Sequence, residues 1–234
     1  MASFSHSPPA RHGPIEPLLL PLENGDRLDQ KSFHARYEAM PKGFRAELVG
    51  GIVHVPSPLK RSHGRNHGTV IYWLKEYEFA TPGVEAYDNA TAIISDENEP
   101  QPDGSLLIVA PGHGQTREED GYIVGAPELT AEIAASSASI DLHAKRREYE
   151  REGVKEYLVV QLQSFRVYWF VSRQGRFEDL PVGADGILRS EVFPGLWLDP
   201  AALERGDGPR LRAVLHQGLA TPEHAAFVAR LRGT

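Results

Sequence analysis

The sequence predicts a mixed α/β domain in which a central mixed β-sheet is flanked by helices. Apolar runs at residues 105–109 and 128–134 are typical of strands, and the first is continuous enough to be buried on both faces. A helical pattern follows over residues 139–152 and ends at Gly153, a residue that favours a left-handed helix cap. Residues 157–161 then predict a further strand. This succession of strand, helix and strand, without an internal repeat, indicates the fold class.

Length and composition limit the classes of protein that this chain can represent. Its 234 residues are enough for one sizeable core, and it has no cysteine, which excludes disulfides, thiolate zinc sites and cysteine nucleophiles. No apolar run approaches the roughly 18 residues that span a bilayer, so we expect a soluble, cytoplasmic protein with no membrane partner. The net charge of -7 argues against nucleic-acid binding by bulk electrostatics, but it allows binding through a metal ion and a local basic patch.

The chain divides into three predicted regions. Residues 1–27 are rich in Pro, His, Ser and Gly without a sustained period, which predicts a flexible arm that is removable with little loss of stability. Residues 28–203 carry the strands and helices of the domain, beginning with a helix capped by Asp29. Residues 204–234 show the apolar stripe of a helical extension.

Two further segments of the domain have strand patterns. Residues 46–55 alternate as a hairpin does, and Gly50 and Gly51 supply its turn. Glu47 lies in this hairpin. Residues 84–94 are expected to form one continuous strand.

Two carboxylates stand at strand positions. Asp103 follows Pro102 and opens the first apolar strand, where an acid is often only a turn residue. Glu132 lies inside the second strand between apolar neighbours, and burying a carboxylate there is costly unless it is paired or bound to a metal ion. Glu132 is therefore the stronger candidate for a functional residue.

The predicted helix carries a lysine close to these acids in sequence. Lys145 shares a helix face with Asp141 and Tyr149, because the three residues are spaced by four. The spacing allows Lys145 to reach back towards Asp103 and Glu132. It also allows Lys145 to pair with Asp141 or Tyr149 in solvent.

His63 and His67 have the same i, i+4 spacing on another predicted helix, which could suit a metal ion. No third ligand lies in sequence reach, so we expect partly buried helix residues rather than a zinc site, although His67 could line a cleft. Two basic patches are also visible, each expected to be mainly a solvated helix face. They consist of Lys60, Arg61, His63, Arg65 and His67, and of Lys145, Arg146 and Arg147.

Together these motifs resemble the PD-(D/E)XK nuclease superfamily and, within it, the Uma-two group of restriction endonuclease-like proteins. The resemblance covers about residues 29–203, and the order and spacing of its motifs are more specific than any one of them. It rests on Pro102-Asp103, Glu132 ahead of the Ser-rich stretch 136–139, Asp141-x3-Lys145-x3-Tyr149, the run 153–160, the run 47–51 and the run 193–198.

The resemblance implies a restriction endonuclease-like fold and a metal-dependent DNA endonuclease. Mg²⁺, or Mn²⁺ in its place, would be held by Asp103, Glu132 and the carbonyl of Ile133, since hard cations prefer oxygen ligands. The ion would lower the pKa of a bound water that attacks the phosphodiester bond. The catalytic set implied for this sequence is Asp103, Glu132, Lys145 and, as an additional carboxylate, Glu47.

The sequence departs from the superfamily pattern at the lysine two residues after the second acid, where it has Ala134. Either Lys145 supplies that function from the helix, or the domain is a non-catalytic module that binds nucleic acid or protein. A hydrolase with a different substrate is a third reading, since fold does not fix function. Gln161 also departs from the Uma-two pattern, which tends to have an acid there. We further expect a homodimer through exposed apolar residues at 167–171.

Overall fold

The computed structural model describes residues 20–58, 60–135 and 137–233 of the chain. Its strands are β1 (Glu47–Val49), β2 (Ile52–His54), β3 (Val84–Asp88), β4 (Ala92–Ile93), β5 (Gly104–Ile108), β6 (Arg117–Glu119), β7 (Tyr122–Val124), β8 (Leu129–Ala134), β9 (Glu156–Gln161), β10 (Arg166–Arg173), β11 (Arg176–Asp179), β12 (Leu188–Arg189) and β13 (Trp197–Leu198). Its α-helices are α1 (Gln30–Glu38), α2 (Arg61–Ala80), α3 (Arg146–Glu152), α4 (Pro200–Arg205), α5 (Gly208–Leu219) and α6 (Pro222–Arg232). A π-helical segment, Ile140–Lys145, leads directly into α3.

A six-stranded mixed sheet lies at the centre, with the strand order β11-β10-β9-β8-β5-β3. Strands β8 and β9 are parallel, and every other neighbouring pair in this sheet is antiparallel. The parallel pair needs a crossover connection, which the π-helical segment and α3 provide. Gly153 ends α3 in the left-handed conformation, with φ of 87°. The predicted fold class, a mixed sheet flanked by helices, is therefore confirmed.

Helices cover both faces of the sheet. Helix α2 packs with α4, α5 and α6 on one face, where Leu74 and Ile133 belong to the same apolar core. The crossover helix covers the other face, where Tyr149 packs with Tyr157 and Ala134. Because side chains alternate along a strand, Ile133 faces α2 while its neighbour Glu132 faces the crossover helix.

The C-terminal helices belong to the main core and do not form a separate extension. Leu211 and Leu215 of α5 and Phe227 of α6 are buried in the same cluster as Trp73 of α2. The predicted boundary after residue 203 also falls inside α4. The expected extension at 204–234 is corrected on this point, because its apolar stripe packs against α2 and thereby completes one face of the sheet. None of the helices in the described ranges is both long and apolar enough to span a membrane.

Part of the predicted flexible arm packs on the domain. Gly25 donates its backbone N–H to the carbonyl of Val53 at 2.8 Å, and Val53 donates to the carbonyl of Asp26 at 2.9 Å. The side chain of Leu22 is buried beside Phe33. The expectation of a flexible arm over residues 1–27 is therefore wrong for residues 20–27, which gain strand-like hydrogen bonds and apolar contacts. Residues 1–19 lie outside the described residues.

Leu22→Ala should lower the free energy of unfolding by about 2–3 kcal/mol, the lower part of the usual range for truncating a buried leucine. Leu22 is 5% exposed, whereas Leu20 is 67% exposed. Leu20→Ala is thus a matched control that should change stability by less than about 0.5 kcal/mol. Urea unfolding of both variants measures the difference. Equal stabilities for the two variants would show that residues 20–27 do not dock in solution.

Several local predictions are confirmed, and one strand is shorter than expected. The Asp29 side chain accepts the N–H of Ser32 and caps α1, and Gly50 and Gly51 turn the β1–β2 hairpin with φ of 58° and 72°. The predicted strand over residues 84–94 instead breaks after β3, because Asn89 adopts φ of 51° and turns the chain away from the central sheet.

The predicted dimer surface is not exposed. Strand β10 lies between β9 and β11, and the side chains of Trp169, Phe170 and Val171 are buried within the subunit. An apolar strand with neighbours on both edges and both faces covered has no free surface for an isologous contact. The structural reason for expecting a homodimer is therefore removed.

Candidate active site

The candidate site lies where β5 begins and β8 ends, with α2 on one side and the crossover helix on the other. Gly104, the first residue of β5, lets α2 approach closely, since a Cβ there would stand 3.1 Å from the Cδ1 atoms of Ile71 and Leu74. The close approach brings the first turns of α2 over Asp103. Asp103 immediately precedes Gly104, the first residue of β5 that pairs with β8, so it lies at the end of the β5–β8 ladder.

Asp103 is held by two donors. Its Oδ2 atom accepts the backbone N–H of Ile133 at 2.7 Å, and Nε2 of His63 lies 3.3 Å from the same oxygen. Burial opposes ionisation of this carboxyl, but the hydrogen bonds from His63 and Ile133 outweigh burial and lower its pKa. Asp103 is therefore a carboxylate at neutral pH, as a metal ligand must be.

Glu132 faces the crossover helix and is buried, with a side chain that is 6% exposed. Its Oε1 atom lies 2.8 Å from Nζ of Lys145 and accepts the hydroxyl of Tyr149 at 3.2 Å. Burial raises the pKa of Glu132 well above its ordinary value, although Lys145 opposes the shift. A cation brought to this carboxyl would favour its ionised form.

Lys145 reaches the acids from the crossover helix. Besides Glu132, its Nζ lies 2.8 Å from Oε2 of Glu47 and 3.9 Å from Oδ1 of Asp141. Burial disfavours the ammonium, but Glu132 and Glu47 outweigh burial and raise the pKa of Lys145 well above its ordinary value. Lys145 is therefore charged and lies beside Glu132, while Ala134 leaves that position of β8 without a lysine. The reading in which Lys145 points into solvent is wrong.

Glu47 joins the site from the β1–β2 hairpin. Its Oε1 atom accepts the N–H of Gln101 at 2.7 Å and also contacts Nζ of Lys145 at 3.0 Å. This hydrogen bond joins the β1–β2 hairpin to Gln101, two residues before Asp103. Glu47 helps to orient Lys145, because it contacts the same ammonium group as Glu132.

The charges of this network do not balance. Glu47, Glu132 and Asp141 surround a single lysine, and burial raises the pKa of Asp141 as well. Like charges in a buried cluster repel one another, so a further cation at the cluster is favourable. A divalent ion fits these residues on charge and on donor type.

Comparisons with known proteins show the family of this chain and a structure of similar fold. The sequence profile of the Uma2 family, described as "Putative restriction endonuclease", matches residues 32–201. The chain belongs to the Uma2 family. The crystal structure of a "putative nuclease" from Anabaena variabilis is similar in fold, with a TM-score of 0.56 at 16% identity, and the match covers 73% of this chain and 96% of that chain. A comparison with curated proteins gives no match.

In this Uma2 protein, the backbone of Ile133 faces Asp103. The N–H of Ile133 bonds to Asp103, and the N–H and C=O of one strand residue point towards the same neighbouring strand. The Ile133 carbonyl therefore lies on the Asp103 side of β8. Asp103 and Ile133 thus meet at the end of β8. The side chain of Glu132 lies with Lys145 and Glu47 on the side of the crossover helix.

Two histidines of α2 complete the surroundings of Asp103. Nε2 of His67 lies 3.0 Å from the backbone oxygen of Asp103 and 3.0 Å from Oδ1 of Asp88. A ligand atom from each of His63, His67 and Asp103 lies within 4.8 Å of the others. The i, i+4 spacing of the histidines is visible in the sequence, but their third partner is not. Asp103 is 36 residues from His67, and only the fold brings them together.

Other buried acids of the domain have structural partners. The carboxylate of Glu156 accepts hydrogen bonds from Ser190, Trp169 and the backbone of Glu191 and Val192, and burial raises its pKa to about 6 against these donors. Glu128 accepts the N–H groups of Ile108 and Gln115. These two acids hold loops against the sheet, and neither contacts Lys145.

Proposed function

We propose that this Uma2 protein is a metal-dependent DNA endonuclease that uses Mg²⁺ or Mn²⁺. The observation that supports it best is the contact of 2.8 Å between Lys145 and Glu132. In the superfamily pattern, a lysine at position 134 would lie beside the second acid, but this chain has Ala134 there. The helix therefore offers the ammonium that the strand lacks.

Each residue has a proposed role that follows from its contacts. Asp103, Glu132 and the Ile133 carbonyl offer oxygen atoms to the ion, which when bound supplies a Lewis acid and lowers the pKa of its water. Lys145 places a fixed positive charge where negative charge develops on the phosphoryl oxygens. Tyr149 and Glu47 orient Glu132 and Lys145, respectively, through their hydrogen bonds.

The surface beside the histidines is suited to a nucleic-acid backbone. Lys60, Arg61 and Arg65 are exposed at the start of α2, and none forms an ion pair within the described residues. Free cations next to the site can contact phosphates despite the net negative charge of the chain. The second basic patch does not form, because Lys145 is buried and Arg146 stacks on Phe170 at 4.2 Å from the ring centroid.

The non-catalytic alternative depends on the absence of the strand lysine. The contact of Lys145 with Glu132 weakens this alternative, since a binding module has no need of a buried lysine surrounded by acids. Such a cluster costs desolvation energy, and similar clusters are often retained for function rather than for stability.

The test is cleavage of supercoiled plasmid DNA by the full chain with Mg²⁺ or Mn²⁺, compared with the same reaction in EDTA. We expect nicked and linear products only with the ion. Parallel reactions with single-stranded DNA and with RNA identify the substrate class. Metal binding without cleavage of any of these substrates would support the non-catalytic alternative instead.

A further inference from the structure

His63 and His67 form a cluster with Asp103, and the proposed magnesium site uses neither histidine. The two histidines lie one turn apart on α2 and project from the same face towards Asp103, as i, i+4 residues do. The separation of Nε2 of His63 from Oδ2 of Asp103 is 3.3 Å, and the three ligand atoms lie within 4.8 Å of one another. The cluster thus presents two imidazole nitrogens and one carboxylate oxygen to a single point.

These distances are close to those of a metal site. Ligand bonds of about 2.0–2.2 Å place neighbouring ligand atoms about 3–4 Å apart. Small side-chain rotations therefore suffice to bring all three atoms to bonding distance. Imidazole suits transition-metal ions such as Co²⁺, Ni²⁺ and Zn²⁺, whereas Mg²⁺ and Mn²⁺ prefer oxygen ligands.

The surroundings of the histidines direct ligand atoms towards the cluster. His63 is 4% exposed, and its Nε2 atom, the nitrogen that would bind the ion, faces Asp103. Beside His67, the carboxylate of Asp88 offers a further oxygen, at 3.0 Å from its Nε2.

We propose that His63, His67 and Asp103 bind a divalent transition-metal ion of the Co²⁺, Ni²⁺ or Zn²⁺ class, with Asp88 as a further oxygen ligand. This position is distinct from the magnesium position at Glu132 and shares only Asp103 with it. The proposal does not depend on nuclease activity, since neither histidine contacts Glu132 in the described structure. Two ions that share a carboxylate in this way lie about 3.5–4 Å apart in enzymes that act on phosphate esters.

The first experiment titrates the full chain with Co²⁺ and follows its visible absorption, in the parent and in His63→Gln and His67→Gln. Glutamine retains a polar side chain but removes the imidazole ligand. We expect each substitution to weaken Co²⁺ binding by at least about 100-fold, since losing even an indirect partner of a metal ligand often costs about 10–100-fold. Mg²⁺ binding, measured by calorimetry, should stay as in the parent for His67→Gln and should weaken by a smaller factor than Co²⁺ binding for His63→Gln, because His63 also contacts the proposed Mg²⁺ ligand Asp103.

Matched controls separate this site from others. His113→Gln changes an exposed histidine outside the cluster and should leave Co²⁺ binding unchanged. A His6→Gln, His12→Gln double variant tests the two histidines that lie outside the described residues. Glu132→Gln should remove Mg²⁺ binding while Co²⁺ still binds at the histidines. Failure of the proposed function and failure of this inference are thereby distinguishable.

A second measurement needs no variant. X-ray absorption of Zn²⁺ bound at one equivalent to the parent protein in excess Mg²⁺ should show the outer-shell scattering that imidazole ligands give. A spectrum without imidazole scattering, or a His63→Gln, His67→Gln double variant that binds Co²⁺ as tightly as the parent, overturns the proposal. In that case His63 serves only as a hydrogen-bond partner of Asp103.

Discussion

Lys145→Met should reduce plasmid cleavage by about two orders of magnitude or more, the usual scale for a positioned acid-base or electrostatic group. Methionine keeps an unbranched side chain and good helix propensity, so the change removes the charge with little loss of packing. Metal binding should persist, because Asp103, Glu132 and Ile133 remain. Cleavage rates and calorimetric Mg²⁺ titration measure the two effects separately.

The same substitution should lower the free energy of unfolding by about 3–5 kcal/mol in the absence of metal. Removing one partner of a buried ion pair leaves the other charge uncompensated, and Lys145 is the partner of both Glu132 and Glu47. If the single variant does not fold, Lys145→Met combined with Glu132→Gln removes the orphaned charge and should recover part of the stability.

Arg147→Met is the matched control for Lys145→Met. Arg147 is exposed and forms no ion pair or hydrogen bond within the described ranges, so its loss should change cleavage little. Arg146 is less suitable, because its guanidinium stacks on Phe170 and contacts the carbonyl of Phe177. A Lys145→Met protein that cuts DNA as fast as the parent would show that Lys145 is only a structural counter-ion.

Asp103→Asn and Glu132→Gln should each abolish Mg²⁺ binding while the protein stays folded. Each change removes the charge of a proposed ligand and keeps the size of the side chain. Without metal, Glu132→Gln should leave stability unchanged or slightly higher, because burial disfavours the ionised Glu132. Asp103→Asn should lower stability modestly, because the hydrogen bonds from His63 and Ile133 favour the ionised Asp103 in the folded protein. After Glu132→Gln, Lys145 still has Glu47 at 2.8 Å, so no buried charge is left without a partner.

Calorimetric titration with Mg²⁺ and thermal unfolding in EDTA test this pair of variants. Glu128→Gln is the control, since Glu128 is also a buried acid but bonds only to backbone N–H groups of Ile108 and Gln115. It should bind Mg²⁺ as the parent does, whatever its stability. Parent-like Mg²⁺ binding by Asp103→Asn or Glu132→Gln would mean that the metal site is wrongly assigned.

The two sets of variants differ in a way that the structure explains. Loss of Lys145 leaves several buried acids without a positive partner, whereas loss of one acid leaves Lys145 paired with the others. We therefore expect Lys145→Met to destabilise the metal-free protein far more than either acid substitution does. This difference in the free energy of unfolding depends on the number of charges around Lys145, and it does not depend on whether these residues take part in catalysis.

The sequence by itself determined the elements that carry the site. Buried strands have continuous apolar runs, so Asp103 and Glu132 could be placed at strand positions from their neighbours alone. The i, i+4 spacing placed Asp141, Lys145 and Tyr149 on one helix face, and all three are buried there. Local signals of this kind depend on residues a few positions apart, and they need no knowledge of the fold.

Only the tertiary structure decided which of these elements meet. Glu47 is 98 residues from Lys145, yet the hairpin brings its carboxylate to the ammonium. The same long-range packing joins His63 and His67 to Asp103 and docks Leu22 on the core. It also buries Phe170 and Val171 of β10, which the sequence alone suggested were exposed. Alternation and spacing define the face of each element, but the partner of that face depends on sheet order and helix packing, which a single sequence pattern does not encode.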